Sequence, residues 1–259
     1  MGHDAMIAIA GLSPAIGLLV VATILVVAAA VKGTLGLGMP VFSVSLLGGL
    51  LDPHAVLALM VVPVLASNLW QALQSGYWRT ACRRFWPMIV CFAIGTAIGG
   101  YWMARIDPAR LLTILGVIAI AFALVNLIKP DLRLAARHRN WVGAVVGGST
   151  GVVNGLSTVN GPPLLMYLVA CGLDREEFVG AYGVIALAGA VPLAATYAYT
   201  GVFGATEAYW STLALLPVFA GLWLGRRLRR HIQPEVFRRV LLVLLMLLGA
   251  NLIRRGLYA

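Results

Sequence analysis

Between Gly151 and Pro163 the chain reads Gly-Val-Val-Asn-Gly-Leu-Ser-Thr-Val-Asn-Gly-Pro-Pro. Asn154, Ser157, Thr158 and Asn160 place four neutral hydrogen-bonding side chains within seven residues of an otherwise apolar stretch. Proline suits the first position of a helix, where no N–H is needed. The pattern therefore predicts a helix starting near Pro162 and Pro163, with Asn160 or Gly161 as its cap. Such a start carries free N–H groups and the positive end of the helix dipole, which together favour an anion. Gly155 and Gly161 let a ligand come close to the backbone.

A second segment offers similar parts. Lys32-Gly33-Thr34-Leu35-Gly36-Leu37-Gly38-Met39-Pro40 again joins glycines to a proline, with Thr34 and Ser43 as donors and Lys32 as a cation. The candidate ligand residues are therefore Lys32, Thr34, Gly36, Gly38, Pro40 and Ser43 in this segment, and Asn154, Gly155, Ser157, Thr158, Asn160, Gly161, Pro162 and Pro163 in the other. Each has a plainer rival role. Glycines in membrane helices allow close packing, and a lysine can reach along its stem to an interface.

The elements that carry these segments follow from the charge pattern. Of 259 residues, 61% are hydrophobic and 11% charged, against about 25% charged in a soluble domain. Stretches such as 5–31, 53–78, 85–104, 111–128, 178–206 and 208–225 contain no Asp, Glu, Lys or Arg. A membrane-spanning helix needs about 20 mostly apolar residues, so an all-α polytopic membrane protein is expected. The stretch 5–31 lacks the cationic start and small-residue cleavage site of a secretory signal, and reads as a retained first helix. The net charge of +10 is assigned to loops on one side of a bilayer rather than to nucleic acid. Cys82, Cys91 and Cys171 are scattered, without metal-ligand spacing, and read as packing residues.

The chain repeats itself. Gly38-Met39-Pro40, Gly49-Leu50, Val56 and Ala58 recur 123 residues on as Gly161-Pro162-Pro163, Gly172-Leu173, Val179 and Ala181. Gly95, Gly99 and Pro108 recur at 126 as Gly221, Gly225 and Pro234, and Asn126-Leu127-Ile128 at 125 as Asn251-Leu252-Ile253. Two repeats, 1–130 and 131–259, are expected. Each is a helix, a glycine-rich break (33–38 or 155–161), a half-helix of about a dozen residues, and three ordinary crossings.

If each helix and half-helix form a hairpin, the Lys and Arg of segments 79–84, 129–139, 175 and 226–239 share one side. These are fourteen of the 19 basic residues. That side is then cytoplasmic, both termini lie outside, and the repeats are inverted. Inverted repeats with interrupted helices are a secondary-transporter plan, with the substrate held at the breaks. Two half-helix N-termini would then face each other across the midplane.

All nine acids and all four histidines fall at expected loops, leaving no intramembrane carboxylate for a proton or sodium relay. An anion leaving a cell that is negative inside needs no coupling ion, because the potential drives it outward. No hydrolase, nucleotide-binding or metalloprotease motif is present. The expectation is a non-enzyme that needs no metal or cofactor, with the bilayer and a small anion as its partners. An anion channel of the same fold, a permease for another oxyanion or carboxylate, and a membrane scaffold without transport remain open at this point. Asn68 and Gln71 share a helix face and are expected to bond between helices. Tryptophans and tyrosines near helix ends read as interfacial belts.

Gly151–Leu168, with its Asn-Gly-x-Ser-Thr-x-Asn-Gly-Pro-Pro element, resembles the second-repeat signature of the TauE/SafE family of sulfite exporters. Gly36-Leu37-Gly38-Met39-Pro40 is similar to that family's first glycine–proline signature, with Leu37 and Met39 intervening between the glycines. The resemblance implies a bacterial inner-membrane permease for sulfite, organosulfonates or related small anions. It carries over to Asn154, Gly155, Ser157, Asn160, Gly161, Pro162 and Pro163, and to Gly36, Gly38 and Pro40.

Overall fold

A computed structural model describes residues 13–35, 38–128, 133–160, 162–228 and 234–258. Twelve α-helices and a 3-10 turn at Ala136–His138 account for its regular structure, with no strand among the described residues. In chain order the helices are α1 (Pro14–Leu35), α2 (Met39–Leu47), α3 (Pro53–Leu59), α4 (Val61–Gln74), α5 (Trp78–Met103), α6 (Pro108–Ile128), α7 (Arg139–Ser157), α8 (Pro162–Ala170), α9 (Arg175–Tyr199), α10 (Ala205–Leu213), α11 (Leu215–Leu228) and α12 (Pro234–Tyr258). Six stretches among the described residues are long and apolar enough to cross a membrane: 14–34, 53–74, 78–103, 108–125, 176–199 and 205–228. The chain is an all-α polytopic membrane protein.

The acids start helices rather than line them. The Asp52 carboxylate accepts from the His54 and Ala55 N–H groups, and Asp107 accepts from those of Ala109 and Arg110. Asp174 and Glu177 form a reciprocal capping box at α9, and Glu207 accepts from the Gly204 N–H before α10. A carboxylate at a helix start satisfies orphan N–H groups and meets the positive dipole end.

Two apolar crossings are interrupted where the sequence suggests single helices, at Met60 and at Ala214. Each break lies three residues before a proline, Pro63 or Pro217. A proline cannot donate to the carbonyl four residues back and its ring crowds that carbonyl. For Pro63 that carbonyl belongs to Leu59, and a serine repairs the gap. The Ser211 hydroxyl donates to the Leu59 oxygen at 2.9 Å and accepts from the Val62 N–H at 3.0 Å.

The chain divides into two units, and each draws on both halves of the sequence. One comprises 1–63, 106–127 and 202–259; the other comprises 64–105 and 128–201. In the first unit α1 packs along α11. A Cβ on Gly221 or Gly225 would strike the backbone of Val26 or Ala30, and one on Gly33 would lie 2.6 Å from the Leu222 carbonyl oxygen. In the second unit α7 packs along α5 in the same manner. A Cβ on Gly95 or Gly99 would strike the backbone of Gly148 or Val152, and one on Gly155 that of Thr96 and Gly99. Helices in lipid gain little from hydrophobicity and associate through such close approach. Gly95 and Gly99 are the residues that the sequence matches to Gly221 and Gly225, so matched glycines do matching work in separate units. Also within the second unit, the Gln71 amide donates to the Val179 carbonyl at 3.2 Å, an interhelical bond of the kind its helix face suggests.

Candidate functional site

The second break lies within one unit. α7 runs on through Asn154, Gly155 and Ser157, so these sit in its last turn rather than in open loop. The close approach of Gly155 to α5 explains the difference, because a glycine packed on a neighbouring backbone need not break a helix. The Asn154 amide donates to the Thr96 hydroxyl at 3.2 Å, and the Tyr197 hydroxyl donates to the Gly155 carbonyl at 2.8 Å. The Ser157 hydroxyl donates back to the Val153 carbonyl at 2.7 Å and accepts from the Val159 N–H at 3.2 Å. Asn154, Gly155 and Ser157 are thus already engaged in holding the end of α7.

Thr158 ends the helix with φ 58°, ψ 5°, the left-handed conformation. It is the one non-glycine residue with positive φ among those described. A β-branched residue there costs about 1–2 kcal/mol, and such strain concentrates at functional positions. Its hydroxyl is fully buried and has no hydrogen-bond partner among the described residues. Asn160, 7% exposed, donates its amide to the Tyr182 hydroxyl at 3.2 Å. The phenolic proton of Tyr182 therefore points away from Asn160. Tyr182 escaped the sequence reading, since its only signal is an aromatic with a polar tip inside an uncharged run.

The half-helix α8 starts at Pro162, as its sequence predicts, while Gly161 lies outside the described residues. Pro162 and Pro163 lack N–H groups, so Leu164 and Leu165 carry the first free donors of the helix start. The half-helix is nine residues rather than a dozen, about 14 Å long against a hydrocarbon core of about 30 Å. Gly172, with φ 66°, ends the following turn, a conformation glycine adopts without strain.

The first break lies within the other unit. α1 continues through Lys32, Gly33 and Thr34 to Leu35, three residues into the segment expected to be broken. The reason is the same, since Gly33 seats against α11. Lys32 is 6% exposed on the last turn of α1. The Thr34 hydroxyl donates to the carbonyls of Ala30 at 2.8 Å and Gly225 at 3.1 Å, which ties α1 to α11. Gly36 falls outside the described residues. Gly38 caps α2 at φ 100°, and Pro40 takes the second helical position. Ser43, one turn further on, is fully buried, and its hydroxyl has no partner among the described residues.

Each unit therefore contains a half-helix with a buried, unpartnered hydroxyl beside its start, Thr158 in one and Ser43 in the other, and Thr150, two turns earlier on α7, is a third such hydroxyl. Such a donor set suits an oxyanion. No cluster of three metal-ligating side chains occurs among the described residues.

Residues 20–252 match the family described as sulfite exporter TauE/SafE. A probable inner membrane transporter protein, TsaS of Comamonas testosteroni, is 28% identical over 166 residues, which is 62% of this chain and 67% of that protein. No solved structure matches. With nearly its whole length matched, signatures and spanning helices included, the chain belongs to the sulfite exporter TauE/SafE family of membrane transporters.

Proposed function

We propose that the protein is a secondary transporter of the bacterial inner membrane that exports sulfite or a related small sulfur-containing anion. The anion binds at a helix break. In the second break Thr158 and Asn160 donate to its oxygens with Tyr182 beside them, and Gly161, Pro162 and Pro163 shape the half-helix start. The first break offers, within its own unit, donors of the same kind in Ser43 and the start of α2, with Gly36, Gly38 and Pro40, and Lys32 as a cation. The observation that carries the reading is the strained Thr158, with a buried hydroxyl that no described residue engages.

The placement of acids supports export without a coupling ion. Asp52, Asp107, Asp174, Glu177 and Glu207 all serve helix starts. Outward movement of an anion is favoured by about 2.3 kcal/mol per charge per 100 mV. The matched glycine pairs on α5 and α11 support a division into repeats 1–130 and 131–259, and the bias of Lys and Arg to one set of loops supports inverted repeats with both termini periplasmic. The protein performs no chemical conversion in this reading.

The test is flux into proteoliposomes under an imposed potential, with sulfite compared with thiosulfate, sulfate, a sulfonate and acetate. Saturable sulfite movement that follows the potential and ignores a pH gradient is expected. Asn160→Leu should abolish it while leaving a folded protein. Unchanged flux in that variant would remove Asn160 from the site, and flux of another anion in place of sulfite would overturn the substrate.

A further inference from the structure

The C-terminal end of α8 gathers two arginines from different helices. Arg84 comes from the start of α5, just before Phe85 leaves helical geometry at φ −118°, ψ 18°. Arg139 is the first residue of α7. Tyr167 of α8 joins them. Its hydroxyl donates to the Arg139 carbonyl at 3.1 Å, and its ring meets that of Phe85 edge-on, with centroids 6.1 Å apart. The Arg84 guanidinium lies 5.4 Å from the Phe85 ring centroid. All of these residues belong to one unit.

The guanidinium groups are poorly occupied by the protein. Arg84 donates to the Tyr77 hydroxyl and to the Cys171 carbonyl, each at 3.4 Å, and stands 3.9 Å from Glu177. Charge-assisted bonds of this type close to about 2.7–2.9 Å. Glu177 also serves the backbone N–H of Asp174. The Nε groups of both Arg84 and Arg139 are buried without a hydrogen-bond partner among the described residues. At Cys171, burial pushes the thiol up, while the Tyr167 hydroxyl and then the charges of Arg84 and Arg139 act against it. Arg84 meets the end of α8 through the Cys171 carbonyl, and Arg139 meets it through the Tyr167 hydroxyl. An anion is favoured beside two guanidinium groups by their charge, and a guanidinium fork matches the paired oxygens of a phosphate-like group.

We propose that Arg84 and Arg139 form an oxyanion site at the end of α8, distinct from the breaks. It takes a phosphate-class group, either the headgroup of an anionic phospholipid or a free inorganic oxyanion. The site stands independently of which anion the protein exports.

The test uses the purified full-length protein in detergent, stripped of lipid, and reads the thermal midpoint during titration. The probes are phosphatidylglycerol, phosphatidylcholine of the same acyl composition, and inorganic phosphate. Phosphatidylglycerol or phosphate should stabilise the wild type where phosphatidylcholine does not. Arg84→Gln and Arg139→Gln should each weaken that response about ten-fold, the loss of one charge-assisted bond, while Arg79→Gln leaves it intact. A response to phosphatidylglycerol alone identifies a lipid site, and one to phosphate alone a site for a free anion. Should a glutamine variant lose its cooperative transition, Arg84→Lys and Arg139→Lys keep the charge without the fork and should still weaken binding. The proposal is overturned if neither probe stabilises the wild type more than phosphatidylcholine does, or if the variants respond as the wild type does.

Discussion

Thr158→Val separates the two roles a buried hydroxyl can have. The replacement keeps the β-branch, so the cost of φ 58° is unchanged, and only an O–H becomes a methyl. Thr158 is fully buried and its hydroxyl has no partner among the described residues. An unsatisfied buried hydroxyl costs about 1–3 kcal/mol, so its removal should stabilise the folded protein. A net gain of about 1–2 kcal/mol corresponds to a rise of about 2–8 °C in the thermal midpoint for a chain of this size. Transport should move the opposite way. A donor to an anion is worth about 1.5–3 kcal/mol, so the apparent affinity for sulfite should fall about ten-fold or more. The assays are thermal unfolding in detergent and potential-driven flux in proteoliposomes on the same preparation. A lower midpoint would mean the hydroxyl is already bonded in the resting protein. A higher midpoint with unchanged flux would mean that Thr158 is strained for no substrate at all. Either result refutes the reasoning.

Other consequences can be measured together. Gly33→Ala places a Cβ 2.6 Å from the Leu222 carbonyl oxygen, which must give by several tenths of an ångström, whereas Gly148→Ala meets nothing within 4 Å. The first should lower the thermal midpoint by the equivalent of about 1–3 kcal/mol, and the second should raise it by up to about 1 kcal/mol through helix propensity. Ser211→Ala should cost about 1–3 kcal/mol by exposing the Leu59 carbonyl and the Val62 N–H. Adding Pro63→Ala should recover part of that loss, since an alanine there supplies the missing N–H. Asp52 gives a pH signature. The hydrogen bond with His54 is the largest influence holding its carboxyl below the usual carboxylate range, with further help from backbone N–H groups and against the opposing effect of burial. Because the folded value is depressed, its contribution is fully present above the unfolded value of about 3.9. It is lost as pH falls through the folded value. Asp52→Asn keeps a cap without that titration, so the stability difference between wild type and variant should shrink below about pH 4.

The fold class was legible because lipid demands long uncharged stretches, and few other structures contain them. The half-helix starts were legible because Gly38-Met39-Pro40 and Pro162-Pro163 carry a local signal. The reach of the breaks was not. Gly33 and Gly155 read as interruptions, yet each seats against a carbonyl on a helix more than fifty residues away, and spacing along the chain holds no record of that neighbour. The same blindness hid the Asn160–Tyr182 bond and the role of Ser211 at the Pro63 kink. Gln71 was easier, since an amide on an otherwise apolar helix face has few ways to be satisfied other than a bond to another helix. Nor does the sequence declare that each unit combines parts of both halves. That arrangement depends on which glycine ridge meets which helix.

Along those ridges, Gly95 and Gly99 against α7, and Gly221 and Gly225 against α1, leave no room for a side chain between backbones. Attraction across such a contact comes from dispersion and from Cα–H groups directed at carbonyl oxygens. Little apolar surface is withdrawn from water there, so the contact carries almost none of the heat-capacity signature of an ordinary core. Cooling weakens hydrophobic association, but it has little hold on these seams. The pairing of each long helix with its partner should therefore be as firm in a cold cell as in a warm one.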